Sequence, residues 1–234
     1  QMTLGDEYFR PSFNNRVFIN CPFDNLRSYK QIFRSFCFTI QACGFYPVTA
    51  LDAFDSSQNR IDKLLRLIDS CKYSVHDLTR IELDKKTQLP RFNMPFEFGL
   101  DYARKHFSRG KAKDKVFIVF EPEAYRSQAF LSDMAGVDKK VHKNKPVVAI
   151  KMLRDWLNKQ ATHNVQGPNK IIKSFLEFQE NLPQICAVAH LDSEELDFTD
   201  LLNIIFAWLY KYPDMLPEAQ KAVLMQNFPK FIKY

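Results

Sequence analysis

The chain has 234 residues, of which 46% are hydrophobic and 26% charged, a composition typical of a globular protein with a sizeable core. Its net charge of +6 is compatible with phosphate-bearing ligands, but no aromatic-basic stripe or recognition-helix pattern favours nucleic acid. The longest apolar stretch, at 201–210, is shorter than the roughly 20 residues of a membrane span.

The five cysteines are scattered, with neither a CxxC pair nor a Cys/His cluster at metal-ligand spacing. Because the count is odd and the N-terminal residues lack an apolar signal region, we expect a reduced, cytoplasmic protein without a disulfide framework. The same observations lead us to expect no metal and no membrane association.

The first part of the chain predicts a strand at 16–20, then a helix within 28–43 that ends before Gly44. The helix is predicted from apolar side chains near helical spacing: Tyr29, Ile32, Phe33, Phe36, Ile40 and Cys43. A second strand follows at 45–51, and Pro47 favours an edge position for it because proline cannot donate to a ladder.

Strand and helix go on alternating up to residue 121. An amphipathic helix at 60–71 precedes a strand at 73–78, and a second helix, around Glu97, precedes a strand at 115–121. This alternation predicts an α/β fold: a doubly wound, flavodoxin-like parallel sheet with right-handed crossovers.

The second part of the chain predicts mainly helices, at about 124–135, 146–160, 168–181, 197–211 and 216–227. A fifth strand is only weakly indicated, at 141–144 or at 185–191. We therefore divide the chain into an N-terminal extension at 1–14, an α/β domain at 15–145 and a helical part at 146–234 that packs on the same unit.

Polar side chains follow each strand, where open α/β sheets bind their ligands. This rim comprises Asn20, Asp24, Asp52, Asp55, Arg60, Asp77, Arg80, Arg91, Asn93 and Glu97. The absence of GxGxxG, GxxxxGK[ST] and GxSxG motifs argues against a standard dinucleotide dehydrogenase, a P-loop NTPase and an α/β-hydrolase. His76 precedes Asp77 on a strand and so points to the other face, and we interpret it as structural.

Glu97 lies in the stretch LPRFNMPFEFGLDY, for which we predict a helix with Asn93 as its N-cap. We expect Glu97 to lie off the buried stripe, which the apolar spacing assigns to Phe96, Gly99, Leu100 and Ala103. Gly99 would let another backbone approach closely. Spacing alone leaves two interpretations of Glu97 open: an acid that complements the helix dipole, or the centre of a site.

Three segments, VFINCPFDN, IDSCKYSVHDLTR and LPRFNMPFEFGLDYA, resemble the superfamily of TIR and nucleoside 2-deoxyribosyltransferase-like domains, over about residues 15–121. The resemblance is closer to a group of bacterial TIR-like proteins linked to defence. Glu97, with Phe98 and Gly99 after it, matches the position of the superfamily's catalytic glutamate. The chain has RFNMP where TIR domains have S-x-W-C.

The resemblance implies an NAD(P)-processing enzyme, a hydrolase or a cyclase, that cleaves the bond to nicotinamide in anti-phage defence. NAD would be its substrate and not a bound cofactor. A single carboxylate suffices for this reaction, because the cationic pyridinium leaves without being protonated. Glu97 and Asp77 would be the catalytic residues.

A second enzyme reading is a nucleoside or nucleotide deoxyribosyltransferase or N-glycosidase, in which Glu97 attacks the sugar and Asp77 or Asp55 supplies a proton. A third reading is a non-catalytic module for nucleotide sensing or assembly. Self-assembly or a partner defence protein is a further expectation from the resemblance.

The remaining rim residues would bind the substrate. Arg60, Arg80 and Arg91 would contact phosphates, and Phe23 and Phe92 would stack on a base. Asn20, Asp24, Asp55 and Asn93 complete the expected substrate site.

Overall fold

The computed structural model describes residues 12–22, 26–52, 59–79 and 92–211. Five parallel strands form one sheet in the order β2-β1-β3-β4-β5. The strands are β1 (Arg16–Asn20), β2 (Tyr46–Thr49), β3 (Tyr73–Asp77), β4 (Val116–Glu121) and β5 (Lys139–Val141). This is the flavodoxin-like order of a doubly wound sheet, so the predicted fold class is confirmed.

Helices cover both faces of this sheet. They are α1 (Leu26–Ala42), α2 (Arg60–Asp69), α3 (Asn93–Phe107), α4 (Pro146–Asn158), α5 (Pro168–Val188) and α6 (Phe198–Tyr210). Helices α2 and α3 pack on one face, and α1 and α4 pack on the other. Side chains of α5 and α6 join the same buried cluster as α1 and α4, so these helices add a further layer outside α1.

Helix α1 is buried on both sides, which accounts for its unusual content of phenylalanine. Phe36 packs on Phe120 of the sheet, with ring centroids 5.2 Å apart. Phe38 points the other way and lies between Phe175 and Phe178 of α5, at 5.5 and 5.4 Å. Gly44 ends the helix as predicted, with a left-handed φ of 85° that glycine adopts without strain.

Both edge strands depart from the regular interior of the sheet. Strand β2 lies at one edge, as Pro47 predicted. At the other edge, β5 comprises residues 139–141. It begins two residues before the weakly indicated strand at 141–144 and overlaps it at one residue. The other candidate, 185–191, was wrong, because residues up to Val188 belong to α5.

The helix predicted at 124–135 was also wrong. The segment instead forms two short 3₁₀ turns, Arg126–Ala129 and Ser132–Met134. The carboxylate of Glu121 accepts hydrogen bonds from the backbone N–H groups of Tyr125 and Ser127, at 3.0 and 3.1 Å. A side chain that binds these amides competes with a continuous helix.

The helices predicted at 146–160, 168–181 and 197–211 are confirmed as α4, α5 and α6, and α5 continues beyond its predicted end. The helix predicted at 216–227 lies outside the described residues. Within the described ranges, no helix combines the length and the apolar character that crossing a membrane requires.

Two neighbouring residues of α5 test whether this outer helix is part of the core. Phe175 is 2% exposed and contacts Phe38, whereas Leu176 is 47% exposed. We expect Phe175→Ala to lower the free energy of unfolding by about 3–5 kcal/mol, because it removes a buried ring and leaves a cavity. Leu176→Ala should change it by about 0.5 kcal/mol or less. Denaturant unfolding of both variants measures the difference, and equal effects would contradict the assigned packing.

Candidate functional site

The carboxyl ends of β1 and β3 lie side by side, with Asn20 in register with His76. Because side chains alternate along a strand, His76 and Asp77 project to opposite faces of the sheet. His76 faces α3, and Asp77 faces α1. The site thus has a separate polar network on each face.

The network on the α3 face joins three elements through the amide of Asn20. Its Nδ2 donates to the backbone oxygen of Met94, in the first turn of α3, at 2.8 Å. The same Nδ2 lies 3.0 Å from Nδ1 of His76. Since a carbonyl can only accept, this atom is a nitrogen, and His76 Nδ1 must be the acceptor of its second hydrogen.

This assignment fixes the tautomer of His76. The hydrogen of the neutral ring is on Nε2, which donates to Oδ2 of Asp101 at 2.9 Å. His76 is fully buried and has both nitrogens bonded within the protein. Its predicted structural role is therefore confirmed.

Lys115 completes the network from the start of β4. Its Nζ lies 3.0 Å from Oδ1 of Asp101 and donates to the backbone oxygens of Ile68 and Cys71, at 2.7 and 2.6 Å. Burial alone would raise the pKa of Asp101, but the hydrogen bond from His76 and the ammonium of Lys115 outweigh it and lower that pKa. Asp101 and Lys115 therefore form a buried ion pair beneath α3.

The network on the α1 face is built around Asp77. Its carboxylate accepts hydrogen bonds from the hydroxyl of Tyr29, from the backbone N–H and the hydroxyl of Thr79, and from Nε2 of His142. Nδ1 of His142 accepts from the backbone N–H of Asn144 at 2.9 Å, so its Nε2 carries the hydrogen. Asp77 is fully buried and acts as an acceptor of these four bonds.

Glu97 differs from both aspartates. It lies one turn before Asp101 on α3 and is 9% exposed. Among the described residues, no hydrogen bond reaches its carboxylate. Burial raises its pKa from the ordinary 4.5 to about 7, against an opposing effect of the positive charge of Arg60.

The thiol of Cys21 is affected by the charges of both Asp77 and Glu97. Burial of its thiol, at the end of β1, is the main cause of its raised pKa, and the negative charges of Asp77 and Glu97 add to it. A thiol with a raised pKa is a poor nucleophile. Cys21 thus packs as a small apolar side chain in the same buried cluster as α1 and α4.

The orientation of α3 corrects one expectation. The buried residues of this helix are Met94, Glu97, Phe98 and Asp101, whereas Phe96 is 55% exposed and Gly99 is exposed. The predicted stripe followed the apolar residues alone. In the fold, Asp101 faces inward to contact His76 and Lys115. The helix is therefore rotated about its axis by about half a revolution relative to the predicted orientation, and Glu97 faces inward as well.

The start of α3 corrects a second expectation, the identity of the helix N-cap. Asn93 is the first residue of the helix, and the N-cap is Phe92, which makes no side-chain cap bond. Asn93 and Phe92 are exposed beside the site, as is Arg60 at the start of α2. Asn20 is buried, and both of its amide hydrogens bind within the protein.

Five further residues of the expected substrate site lie outside the described residues. They are Phe23, Asp24, Asp55, Arg80 and Arg91. The structure thus places Asn20, Glu97 and Arg60 on the α2–α3 side of the sheet, and Asp77 on the α1 side.

Several residues of these networks were missed in the sequence. Tyr29, Thr79 and His142 reach Asp77 from three segments, and Lys115 reads as one of many surface lysines in a basic loop. The only usable signal was the polar strand end at His76 and Asp77. Within the described ranges, no group of three or more His, Cys, Asp and Glu side chains is arranged to hold a metal ion.

Comparison of the chain with protein-family models, with curated proteins and with solved structures found no match in any of the three. The resemblance to TIR-like domains stays a prediction from the sequence motifs.

The buried ion pair gives a testable consequence for stability. We expect Lys115→Met to lower the free energy of unfolding by about 3–5 kcal/mol, because it leaves Asp101 charged, buried and without its cation. Lys113→Met removes a nearby lysine that is exposed, and should have an effect within about 0.5 kcal/mol. Denaturant unfolding compares the two, and a neutral Lys115→Met would show that Asp101 does not need this partner.

Glu97 gives a consequence that depends on pH. Its carboxyl ionises at about 4.5 in the unfolded chain and at about 7 in the folded protein. Folding is therefore unaffected below both values, loses stability as the pH rises between them, and carries a penalty of about 3 kcal/mol above them.

We therefore expect Glu97→Gln to be more stable than the native protein at about pH 8, by up to about 3 kcal/mol. The difference should shrink towards zero as the pH falls below about 4.5. Denaturant unfolding at several pH values measures it. A difference that does not vary with pH would mean that burial does not raise the pKa of Glu97.

Proposed function

We propose that this protein is a TIR-like N-glycosidase that binds NAD(P) at the carboxyl end of its sheet and releases nicotinamide, as a hydrolase or a cyclase. Glu97 is the catalytic carboxylate of this proposal. The resemblance further suggests a role in bacterial defence.

One observation carries the proposal: at this end of the sheet, Glu97 is a buried carboxylate without a hydrogen-bond donor among the described residues. Asp77 and Asp101 are held by named donors in the two networks. A buried charge without a partner lowers stability, and such groups are concentrated at functional sites. A positively charged substrate group would supply the missing partner.

The oxidised nicotinamide ring carries that charge. During cleavage, the bond between ribose C1′ and the ring nitrogen breaks, and its electron pair neutralises the pyridinium. Positive charge then develops on C1′ and the ring oxygen of the ribose, and the Glu97 carboxylate stabilises it. Water attacks C1′ in the hydrolase and loses one proton; in the cyclase, a nucleophile of the same molecule takes its place.

The pKa of Glu97 fits this role. At neutral pH about half of the side chains are ionised in the free protein, since the pKa is about 7. A bound cation favours the carboxylate and lowers that pKa. Substrate binding would thus ionise Glu97 at the moment when its charge is needed.

Arg60 lies where the rest of the substrate would extend. It is exposed at the start of α2, and its positive charge acts on Glu97. Its guanidinium would contact a phosphate of the dinucleotide in this proposal.

The bonding of Asp77 also distinguishes the two enzyme readings. A neutral base leaves a deoxynucleoside only with the help of a proton donor. Asp77, one of the two donors expected for that reaction, accepts four hydrogen bonds on the other face of the sheet. Cleavage of NAD needs no such donor, and this favours it.

The test is to incubate the protein with NAD, with NADP and with a mixture of deoxynucleosides and nucleotides, and to identify products by mass spectrometry. We expect nicotinamide together with ADP-ribose or its cyclic form, and a loss of roughly 10²–10³-fold in Glu97→Gln. The Glu180→Gln variant is the matched control, because it makes the same substitution at an exposed carboxylate of α5.

The pH dependence gives a second readout. We expect kcat/KM to rise with pH through about 7 as Glu97 ionises in the free enzyme. Free base from a deoxynucleoside would assign the protein to the transferase branch instead. No turnover of any substrate over a range of protein concentrations would overturn the enzyme proposal and leave nucleotide sensing as the alternative.

A further inference from the structure

The outer face of α3 carries an apolar stripe that the described part of the chain leaves uncovered. Phe107, Phe92 and Phe96 are 87%, 59% and 55% exposed. We define the α3 seam as Phe92, Phe96, Gly99, Ala103 and Phe107, whose spacings of four, three, four and four residues place them along one face of the helix. Exposed apolar stripes of this kind mark interaction surfaces.

Gly99 points to the shape of what the seam contacts. It lies in the interior of α3, where glycine is the poorest helix former after proline. A Cβ added to Gly99 would meet no atom within 4 Å, so packing among the described residues does not require a glycine here. A glycine on an outer helix face lets a second backbone approach closely.

The order of residues along the seam points to a second copy of the chain. A two-fold axis between Gly99 and Leu100 would place Phe92 against Phe107 of the other copy, and Phe96 against its Ala103. Each large ring at an end then meets a ring, and the inner ring meets a small residue. A surface that is complementary to itself in this way fits an isologous dimer.

Charges on α3 do not oppose this contact. Two nitrogens of the Arg104 guanidinium donate to the two carboxylate oxygens of Asp69 on α2, at 2.7 and 2.5 Å. Lys105 donates to the backbone oxygen of Lys115. These hydrogen bonds hold both cations at the sides of the helix, so neither charge lies on the α3 seam.

We propose that this protein forms an antiparallel dimer in which the α3 seams of two copies pack against each other and cross near Gly99. The three phenylalanines together expose the equivalent of about two whole rings, or roughly 400 Å² in each chain. With the residues around them, the two copies would bury an area near the lower limit of roughly 1,200 Å² for stable interfaces. The dimer therefore depends on concentration.

Sedimentation velocity of the full chain, from the low to the high micromolar range, tests the dimer without reference to enzymatic turnover. We expect Phe96→Gln to weaken dimerisation by about tenfold or more. Leu176→Gln is the control, because it removes a similarly exposed apolar residue from α5 and should leave the association unchanged.

Gly99→Gln gives a sharper result, because two readouts should move in opposite directions. At the lowest concentration, a better helix former at an open position should raise Tm by about 2–4 °C. The same side chain should weaken the dimer by about tenfold or more, since it keeps the two backbones apart. A more stable chain that dimerises as before would overturn the crossing at Gly99.

Disulfide trapping tests the antiparallel register. The native cysteines Cys21, Cys37, Cys43, Cys71 and Cys186 are all buried, so new surface thiols can be read against a low background. A mixture of Phe92→Cys chains and tagged Phe107→Cys chains should yield mainly the mixed disulfide. A mixture of Phe92→Cys and Leu176→Cys chains should not.

Two results would overturn the proposal. The first is a monomer at every concentration in which the new thiols at 92 and 107 are protected from a thiol reagent. This result would mean that another segment of the same chain, such as 80–91, covers the α3 seam. The second is a monomer whose new thiols react freely, or preferential disulfides between identical positions, since neither fits an antiparallel dimer through α3.

Discussion

The amide of Asn20 is the contact on which the geometry of the site depends. It binds strand β1 to the ring of His76 on β3 and to the backbone of Met94 in the first turn of α3. Asp101, bonded to His76, fixes the same helix two turns further on. With both points held, the rotation of α3 about its axis is set, and so is the position of Glu97 between them.

The three carboxylates near the carboxyl end of the sheet illustrate two different uses of burial. Asp77 accepts hydrogen bonds from several elements, and Asp101 is held by a hydrogen bond from His76 and an ion pair with Lys115, so both carboxylates tie elements of the fold together. Glu97 is buried by the same scaffold, but among the described residues no donor satisfies it. Burial is the main cause of its raised pKa, and it makes the ionised form of Glu97 unfavourable for folding.

The regular part of the fold was predictable because its signals are local. Strands β1 and β4 contain short apolar runs, Gly44 ends a helix through its backbone freedom, and Pro47 marks an edge. The rotation of α3 was not predictable from apolar spacing, because two carboxylates occupy its buried face while Phe96 remains outside.

The candidate site was predictable only in part for a related reason. The strand ends indicated where polar residues would gather, but apolar spacing placed Glu97 off the buried stripe of its helix, whereas the structure buries it. Two partners of Asp77, Tyr29 and His142, lie 48 and 65 residues away along the chain. Such long-range bonds leave no periodic trace in a sequence, so only the assembled fold shows which segments bond to each acid.

The two edges of the sheet limit how molecules of this protein can meet. Pro47 offers no N–H group to a further strand beside β2. Strand β5 has only three residues, two of them lysines, and Lys143 and Asn144 then turn the chain away with φ angles of 55° and 53°. Such edges resist extension of the ladder into a neighbouring molecule. Growth of a continuous intermolecular sheet, the first step towards fibrils, is thus discouraged at β2 and at β5, and ordered contact between copies is left to the helical surfaces.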